Sequence, residues 1–201
     1  EVTIIEYLDR IVPVEDEEIS KALEANFKKN GIKILTSSEL IKAETNGNVV
    51  SAIIKSEKEE QVLKADVILS AVGIKSNIEN IGLEDVGIVT DKDKILVDDF
   101  YQTNIPNHYA IGDITKGQAL AHVASAEGIL CVEKIAGINI EPLDYGNIPG
   151  CTYSYPEIAS VGLTETQAKD QGFEIKVGKF PFSASGKAQA SGSSEGFVKV
   201  I

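Results

Sequence analysis

Cysteine is scarce in this sequence, and the two cysteines present do not form a CxxC pair. Cys131 and Cys151 lie far apart in the chain. Their spacing excludes a closely spaced redox pair of the kind that thiol oxidoreductases use. We therefore predict that both are buried structural thiols, which fits a reducing cytosol.

Positive charge and long apolar runs are also lacking. The 201 residues include 19 Lys and Arg against 31 Asp and Glu, and the net charge is -12. Nonspecific nucleic-acid binding needs clustered cations that neutralise phosphates, so this composition argues against it. Because no apolar run is long enough to cross a bilayer, we predict neither a nucleic-acid partner nor a membrane partner.

Methionine is absent, and the chain begins at Glu1 and ends at Ile201 within stretches that predict β-strands. We expect no signal peptide in this part of the chain, because its first residues already predict a strand. We expect both ends to lie inside a longer protein. We also expect a cytoplasmic location, or the mitochondrial matrix in a eukaryote.

The most specific pattern in the sequence is HYAIGDITKGQALAH at residues 108–122. Residues 109–111 predict a strand, Gly112 and Asp113 a loop, and an apolar helix is predicted to begin near Ala119. A carboxylate at the end of a strand can accept hydrogen bonds from sugar hydroxyls, and free amides at a helix start suit an anion. The pattern indicates a nucleotide-cofactor site, and a plain Gly-Asp turn that caps the helix is the alternative.

The beginning of the chain predicts a parallel α/β unit. Residues 2–5 form a β-branched run closed by Glu6, and residues 16–30 place apolar side chains at helical spacing behind the capping residue Asp16. Residues 32–35 form a second apolar run. Strand, helix and strand in this order favour parallel pairing.

The following segments predict an antiparallel meander and then a buried strand. The strands of the meander are residues 40–45, 49–55 and 61–64, with a charged turn at 56–60. The sequence ADVILSAV at 65–72 predicts the buried strand, which ends at Gly73.

The tail from residue 148 onward predicts a small α+β module. Thr164 and Gln167 have the spacing of a capping box, at the start of a helix that ends at Gly172. The predicted strands are 148–154, 158–162, 173–182 and 197–201, and a flexible loop is predicted at 191–194.

The sequence YAIGD at 109–113, followed by LAH at 120–122, resembles the second FAD-contacting motif of the pyridine nucleotide disulfide oxidoreductases. The order of motifs along the whole chain is similar to the interior of these enzymes, and FPFSASGKAQA and GFVKV near the end resemble their lipoamide branch. The resemblance implies an α/β fold in three parts. These are part of a Rossmann-like NAD domain at 1–76, a returning FAD-domain segment at 77–145, and the start of an α+β dimerisation domain at 146–201.

The resemblance implies two groups of cofactor-binding residues. In the FAD group, the carboxylate binds the ribityl or ribose part of the cofactor and the helix start points its amides at the flavin. Reduced flavin carries negative charge, which a helix N-terminus stabilises by roughly 0.3 to 2 kcal/mol. For the histidine of this group, a direct contact and a capping or packing role both stay open. The FAD group is Asp113, Ala119, Leu120, Ala121 and His122, and the NAD group is Glu6, Leu40 and Gly73.

The NAD group rests on three separate matches. Glu6 stands where an acid accepts hydrogen bonds from the adenosine ribose and repels the 2′-phosphate of NADP, although alone it would be read as a surface residue. Leu40 matches an apolar residue on the adenine side, and a plain core position is the alternative. Gly73 opens a loop similar to GRxPN, in which Ile74 and Ser76 replace the usual Arg and Pro.

The activity implied by the resemblance is that of a flavoenzyme that oxidises protein-bound dihydrolipoamide, with NAD as acceptor, through FAD and a redox disulfide. Four of its motifs are not among these residues: two GxGxxG loops, the CxxxxC disulfide and an HxxxE-like acid-base pair. We therefore assign no catalytic residue and no metal ligand, and expect the 201 residues alone to be inactive. The implied partners are a second copy of the chain and the lipoyl domain of a 2-oxoacid dehydrogenase complex or of the glycine cleavage system.

Two other functions stay open at this point. One is an NADPH-linked disulfide reductase of the glutathione or mercuric type, which Glu6 argues against because a 2′-phosphate site would need Arg. The other is a noncatalytic assembly or dimerisation module. A catalytic parent protein is expected to copurify with flavin, whereas a structural module is expected to bind neither FAD nor NAD.

Overall fold

A computed structural model describes residues 1–57 and 59–201. It divides into two compact units. The first consists of Glu1–Ser70 together with Pro149–Ile201, and the second consists of Ala71–Ile148. The division into segments 1–76, 77–145 and 146–201 stays a prediction.

The chain begins with the predicted parallel strand-helix-strand unit. Strand β1 (Thr3–Ile5) and strand β2 (Lys33–Leu35) pair in parallel, with helix α1 (Glu17–Lys29) between them in sequence. Asp16 caps α1 by accepting a hydrogen bond from the Glu18 amide at 3.0 Å. The predicted order, pairing and cap are therefore confirmed.

Helix α1 is held by the apolar face that its sequence spacing predicts. Leu23 is buried in a cluster with Ile11 and Ile158, and Ile19 and Phe27 pack around this cluster. Burying one such aliphatic side chain stabilises a fold by about 1.5 to 3 kcal/mol. This cluster joins the beginning of the chain to its tail inside the first unit.

The predicted meander is confirmed as an antiparallel sheet. Its strands are β3 (Ser38–Asn46), β4 (Val49–Ser56) and β5 (Glu60–Ala65), in that spatial order. Gly47 forms the first turn with a φ of 63°, which favours glycine. Of the charged turn predicted at 56–60, Lys58 lies outside the described residues.

The prediction of a buried strand at 65–72 is wrong. Strand β5 ends at Ala65, and no strand of the described residues pairs with residues 67–72. Leu69 is 87% exposed and Val72 is 96% exposed. A strand requires a hydrogen-bonded neighbour, and an apolar sequence cannot supply one by itself.

The second unit contains short elements around one long helix. Its core is formed by Ile78, Leu83, Ile95 and Ala110. Its elements are α2 (Leu83–Val86), β6 (Thr90–Asp91), β7 (Lys94–Ile95), a 3-10 helix at Gly112–Ile114, α3 (Ala121–Ile135) and a 3-10 helix at Tyr145–Asn147.

Two predictions around the central motif need correction. The strand predicted at 109–111 is a single bridge between Gln102 and Tyr109. Helix α3 begins at Ala121 rather than near Ala119, because Leu120 is extended, with φ -131° and ψ 136°. The Leu120 amide donates to the Gln118 carbonyl at 2.9 Å, and this local turn keeps the chain out of the helix until the next residue.

The tail is an α+β arrangement, as predicted, with shorter strands. The capping box of Thr164 and Gln167 is present in full. The elements are β8 (Gly150–Thr152), β9 (Ile158–Ser160), α4 (Glu165–Asp170), β10 (Gly178–Pro181), a 3-10 helix at Phe182–Ala184, α5 (Gly186–Ser191) and β11 (Phe197–Val200). The sequence reasoning missed α5, whose last residue, Ser191, falls in the loop predicted at 191–194.

The prediction of two buried thiols is half wrong. Cys131 is buried on α3, but Cys151 is exposed on β8. Successive residues of a strand point to opposite faces, and here Gly150 and Thr152 are half-buried. Cys151 therefore points to the open face of the hairpin.

A buried lysine in the first unit links the tail to α1. Lys199 on β11 contacts Asp16 at 2.8 Å, Glu165 at 2.7 Å and Glu18 at 3.0 Å. Its side chain is 4% exposed, so these carboxylates replace the water that an ammonium group would otherwise bind.

Among the described helices, none has the length and apolar character needed to span a bilayer.

Candidate functional site

The Gly-Asp turn, defined here as the 3-10 helix Gly112–Ile114, packs directly on α3. Gly112 has a φ of 76°, and a Cβ atom added to it would lie 3.2 Å from the Ala124 Cβ. A Cβ added to Gly128, one helical turn further on, would lie 3.1 Å from Ile111 Cδ1. Small residues on this face of α3 thus allow the close approach of the turn.

Glu127 fastens the Gly-Asp turn to α3, and the sequence reasoning missed it. Its Oε2 accepts a hydrogen bond from the Gly112 amide at 2.6 Å, and its Oε1 accepts one from the Tyr145 hydroxyl at 2.5 Å. Val123 and Cys131 lie four residues before and after it on the same helix face, and all three are buried. An acid in an apolar stripe at helical spacing was the sequence signal that could have revealed it.

The two phenols beside Glu127 stay protonated. Burial raises the pKa of Tyr145, and its hydrogen bond to the Glu127 carboxylate raises it further. Burial also raises the pKa of Tyr101, whose hydroxyl oxygen lies 3.4 Å from that of Tyr145. Tyr145 therefore remains a hydrogen-bond donor to Glu127 over the whole physiological pH range.

A cavity of about 80 Å³ lies next to these phenols. It is lined in part by Tyr101, Lys116 and Tyr145. Pockets that hold drug-sized ligands usually measure about 300 to 1,000 Å³. A cavity of this size suits water molecules and does not suit a nucleotide cofactor.

Asp113 is held by its backbone and keeps its carboxylate exposed. Its carbonyl oxygen accepts hydrogen bonds from Ser76 Oγ at 2.7 Å and from Lys94 Nζ at 2.6 Å. The structure records no hydrogen-bond partner for its carboxylate among residues 1–57 and 59–201. The carboxylate is thus available to accept hydrogen bonds from a ligand.

The other predicted FAD residues lie at the start of α3. Ala119 is exposed, Leu120 is the N-cap, and Ala121 and His122 are the first two helical residues. The first amides of a helix have no partner within the helix. The second unit therefore carries Asp113 on the Gly-Asp turn and the helix start on α3, and Glu127 of α3 binds the turn through the Gly112 amide.

The three predicted NAD residues are divided between the units. Glu6 and Leu40 belong to the first unit and Gly73 to the second. Glu6 follows β1, and its Oε1 accepts a hydrogen bond from the Leu8 amide at 2.8 Å, which leaves its second oxygen for a ligand. Gly73 has a φ of 115° with open space beside it. Leu40 is 44% exposed beside a β-bulge, so a plain core role is wrong for it.

The fold and this site define the class of protein. The sequence matches the family Pyridine nucleotide-disulphide oxidoreductase over residues 1–128, and the dimerisation domain of that family over residues 148–201. The chain belongs to the pyridine nucleotide-disulphide oxidoreductase family. The predicted family and the mixed α/β fold with the start of a dimerisation domain are therefore confirmed.

Within this family the chain is similar to dihydrolipoyl dehydrogenases. It is 46% identical to the dihydrolipoyl dehydrogenase of Rhizobium etli and 48% identical to that of Bacillus subtilis, in both cases over 100% of the chain. The chain spans 42% and 43% of the length of these two relatives. It is therefore a member that covers less than half of their length.

Solved structures show the same fold. LpdA from Mycobacterium tuberculosis matches 98% of this chain and 43% of its own, with a TM-score of 0.89 at 25% sequence identity. The HOCl-induced flavoprotein disulfide reductase RclA from Escherichia coli matches 99% of this chain and 45% of its own, with a TM-score of 0.88 at 25% identity.

Proposed function

We propose that these residues form the interior of a dihydrolipoyl dehydrogenase, which oxidises protein-bound dihydrolipoamide with NAD as acceptor. The observation that carries this proposal is the similarity to dihydrolipoyl dehydrogenases, 46% and 48% identical along the whole chain. The more distant flavoprotein disulfide reductase is 25% identical. This difference favours the lipoamide branch over the other disulfide reductases.

The residues of the second unit fit FAD. Asp113 offers an exposed carboxylate that has no partner among the described residues, which suits a ribityl or ribose hydroxyl. Ala121 and His122 are the first two residues of α3, so their amides have no partner within the helix and suit the flavin edge that becomes negative on reduction. When bound, FAD would carry electrons between the dithiol substrate and NAD.

The residues proposed for NAD fit in part. Glu6 keeps one carboxylate oxygen for the adenosine ribose, and its charge disfavours the 2′-phosphate of NADP. Gly73 offers an open backbone with no side chain in the way. Leu40 is 44% exposed, so its apolar side chain is free to contact an adenine ring.

The residues that handle the dithiol are proposed to lie in other parts of the protein. The chain contains no CxxxxC and no HxxxE sequence, and Cys131 is buried while Cys151 is exposed on a separate element. Burial raises the pKa of the Cys131 thiol, which lowers its reactivity at neutral pH. The 201 residues alone are therefore expected to be inactive.

The proposed partners follow from the same assignment. Residues 148–201 match the dimerisation domain, which supports a homodimer of the whole protein. The lipoyl domain of a 2-oxoacid dehydrogenase complex or of the glycine cleavage system would supply the dithiol.

Steady-state kinetics of the natural full-length protein test this proposal. We expect NAD-dependent oxidation of dihydrolipoamide, with much weaker use of NADP and no reduction of glutathione disulfide by NADPH. The 201-residue chain, purified in parallel, serves as the matched control and should show no oxidation. A full-length protein that prefers glutathione disulfide and NADPH would assign it to another branch of the family.

A further inference from the structure

We propose that Glu127 is a positioning residue for the flavin, because it holds the Gly-Asp turn on α3. This inference rests on the proposed FAD site and extends it to a residue that does not touch the cofactor. Asp113 and the start of α3 are the two parts of that site. Glu127 is the side chain on α3 that hydrogen-bonds to the turn.

The burial of Glu127 requires a structural reason. The residue is 1% exposed and lies between Val123 and Cys131 on the apolar face of α3. A carboxylate in such a place is costly unless each oxygen has a donor. Both oxygens have one, since Oε2 binds the Gly112 amide and Oε1 binds the Tyr145 hydroxyl.

The geometry of the turn explains why a side-chain acceptor is needed. Gly112 has a positive φ, and its amide points toward α3 rather than toward a strand. The turn lies close to α3, since a Cβ atom added to Gly112 would lie 3.2 Å from the Ala124 Cβ. Without Glu127 the half-buried Gly112 amide would lose this acceptor, and we expect the turn to move away from the helix so that water can replace it.

Tyr145 binds the second carboxylate oxygen of Glu127 and thus fixes the direction of the Glu127 carboxylate. Its ring packs so closely on Gly117 that a Cβ atom added there would lie 2.8 Å from Cε1. The ring therefore cannot shift toward that segment. Asp113 follows Gly112 directly, so the orientation of its carboxylate depends on an anchor set by Glu127 and Tyr145 together.

Four variants of the full-length protein separate this role from simple stability. Glu127→Ala removes both hydrogen bonds, whereas Glu127→Gln keeps a carbonyl acceptor for the Gly112 amide. Tyr145→Phe removes only the hydroxyl group that binds Glu127. Glu133→Ala, a half-buried acid on the same helix, is the matched control. FAD affinity is measured by titration of the deflavinated proteins. Hydrogen exchange of the Gly112 amide is measured by mass spectrometry. Both measurements are made under conditions in which every variant is folded.

The expected results form a graded series. Glu127→Ala weakens FAD binding by about tenfold or more and speeds exchange of the Gly112 amide. Glu127→Gln restores FAD affinity to within about threefold, and Tyr145→Phe lies between the two. Glu133→Ala binds FAD as the natural protein does.

Two results would overturn the inference while leaving the FAD site intact. One is a folded Glu127→Ala protein that is less stable but binds FAD normally, while Asp113→Ala loses the cofactor. The other result counts if Glu127→Ala does not fold. It is a Tyr145→Phe protein in which both the FAD affinity and the exchange rate of the Gly112 amide are unchanged. A natural protein that binds no FAD would overturn the proposed function and this inference with it.

Discussion

The Ser76 hydroxyl donates a hydrogen bond to the Asp113 carbonyl oxygen, with 2.7 Å between the two oxygens. The Ser76 amide also donates to the Asp93 carboxylate at 2.8 Å, and this bond lowers the pKa of Asp93. A proline, the residue usual at this loop position in the resembling family, could make neither bond. Ser76, which replaces the usual proline, thus ties the Gly73 loop to the Gly-Asp turn.

Ser76 and Lys94 are expected to act as one unit. Lys94 Nζ donates to Ser76 Oγ at 2.9 Å and to the Asp113 carbonyl at 2.6 Å, so the two side chains share one acceptor. Ser76→Ala and Lys94→Met should each lower the free energy of unfolding by about 0.5 to 1.5 kcal/mol. The loss of unfolding free energy in the double variant should be smaller than the sum of the two single losses, by about 0.5 kcal/mol or more. Strict additivity in urea titrations would contradict the shared arrangement.

Lys199 is expected to be among the most sensitive positions of the first unit. Lys199→Met removes a 4% exposed cation and leaves the carboxylates of Asp16, Glu18 and Glu165 close together. Loss of one partner from a buried ionic cluster usually costs about 3 to 5 kcal/mol. Lys169→Met, which removes an exposed contact to Glu165 on α4, should change the unfolding midpoint far less. Equal midpoints for the two variants would contradict the importance of the buried lysine.

The same cluster predicts acid sensitivity. Burial opposes ionisation of Asp16, but hydrogen bonds from Lys199 and from the Glu165 and Glu18 amides outweigh it and lower the pKa. Hydrogen bonds from Lys169 and Lys199 also lower the pKa of Glu165. Carboxylates with a lowered pKa stabilise the fold above their unfolded pKa, and this stability is lost as pH falls through the folded pKa.

The unfolding free energy should therefore decrease as the pH falls below about 4. The decrease should be smaller in Lys199→Met, because that variant lacks the cation that lowers these pKa values. Urea titrations between neutral and acid pH measure both curves. Parallel curves for the two proteins would contradict this origin of the acid sensitivity.

Gly112→Ala should destabilise the second unit more than Gly137→Ala. Both glycines have positive φ, 76° and 79°, so both replacements carry the same conformational cost of about 1 kcal/mol. Only Gly112 also faces a close neighbour, Ala124 Cβ at 3.2 Å, whereas the space beside Gly137 is open. Thermal unfolding compares the two variants. Equal losses would mean that the turn does not pack against α3 as described.

Local signals made much of the fold predictable. The Asp16 cap and the Thr164 capping box depend on residues within one helical turn, so sequence reasoning found both. Residues 66–72 and Cys151 were misjudged because strand pairing and burial depend on what lies beside a segment in space. Apolar composition alone carries no such information.

The candidate site was predictable in its parts and not in its connections. The Gly-Asp sequence and the apolar helix after it marked Asp113 and the start of α3. The contact of Glu127 with Gly112 spans fifteen residues and depends on how the turn packs. Tyr145 is a further eighteen residues away from Glu127, so this contact also depends on packing between distant segments.

Titration of the natural full-length protein with FAD tests the cofactor site at the Gly-Asp turn, with Asp113→Ala as the test variant and Asp85→Ala as the control. Asp85 is an exposed acid on α2 in the same unit. We predict that the natural protein and Asp85→Ala bind FAD equally, and that Asp113→Ala binds it at least about tenfold more weakly. A natural protein that does not bind FAD, or an Asp113→Ala protein with unchanged affinity, would contradict the cofactor site described at the Gly-Asp turn.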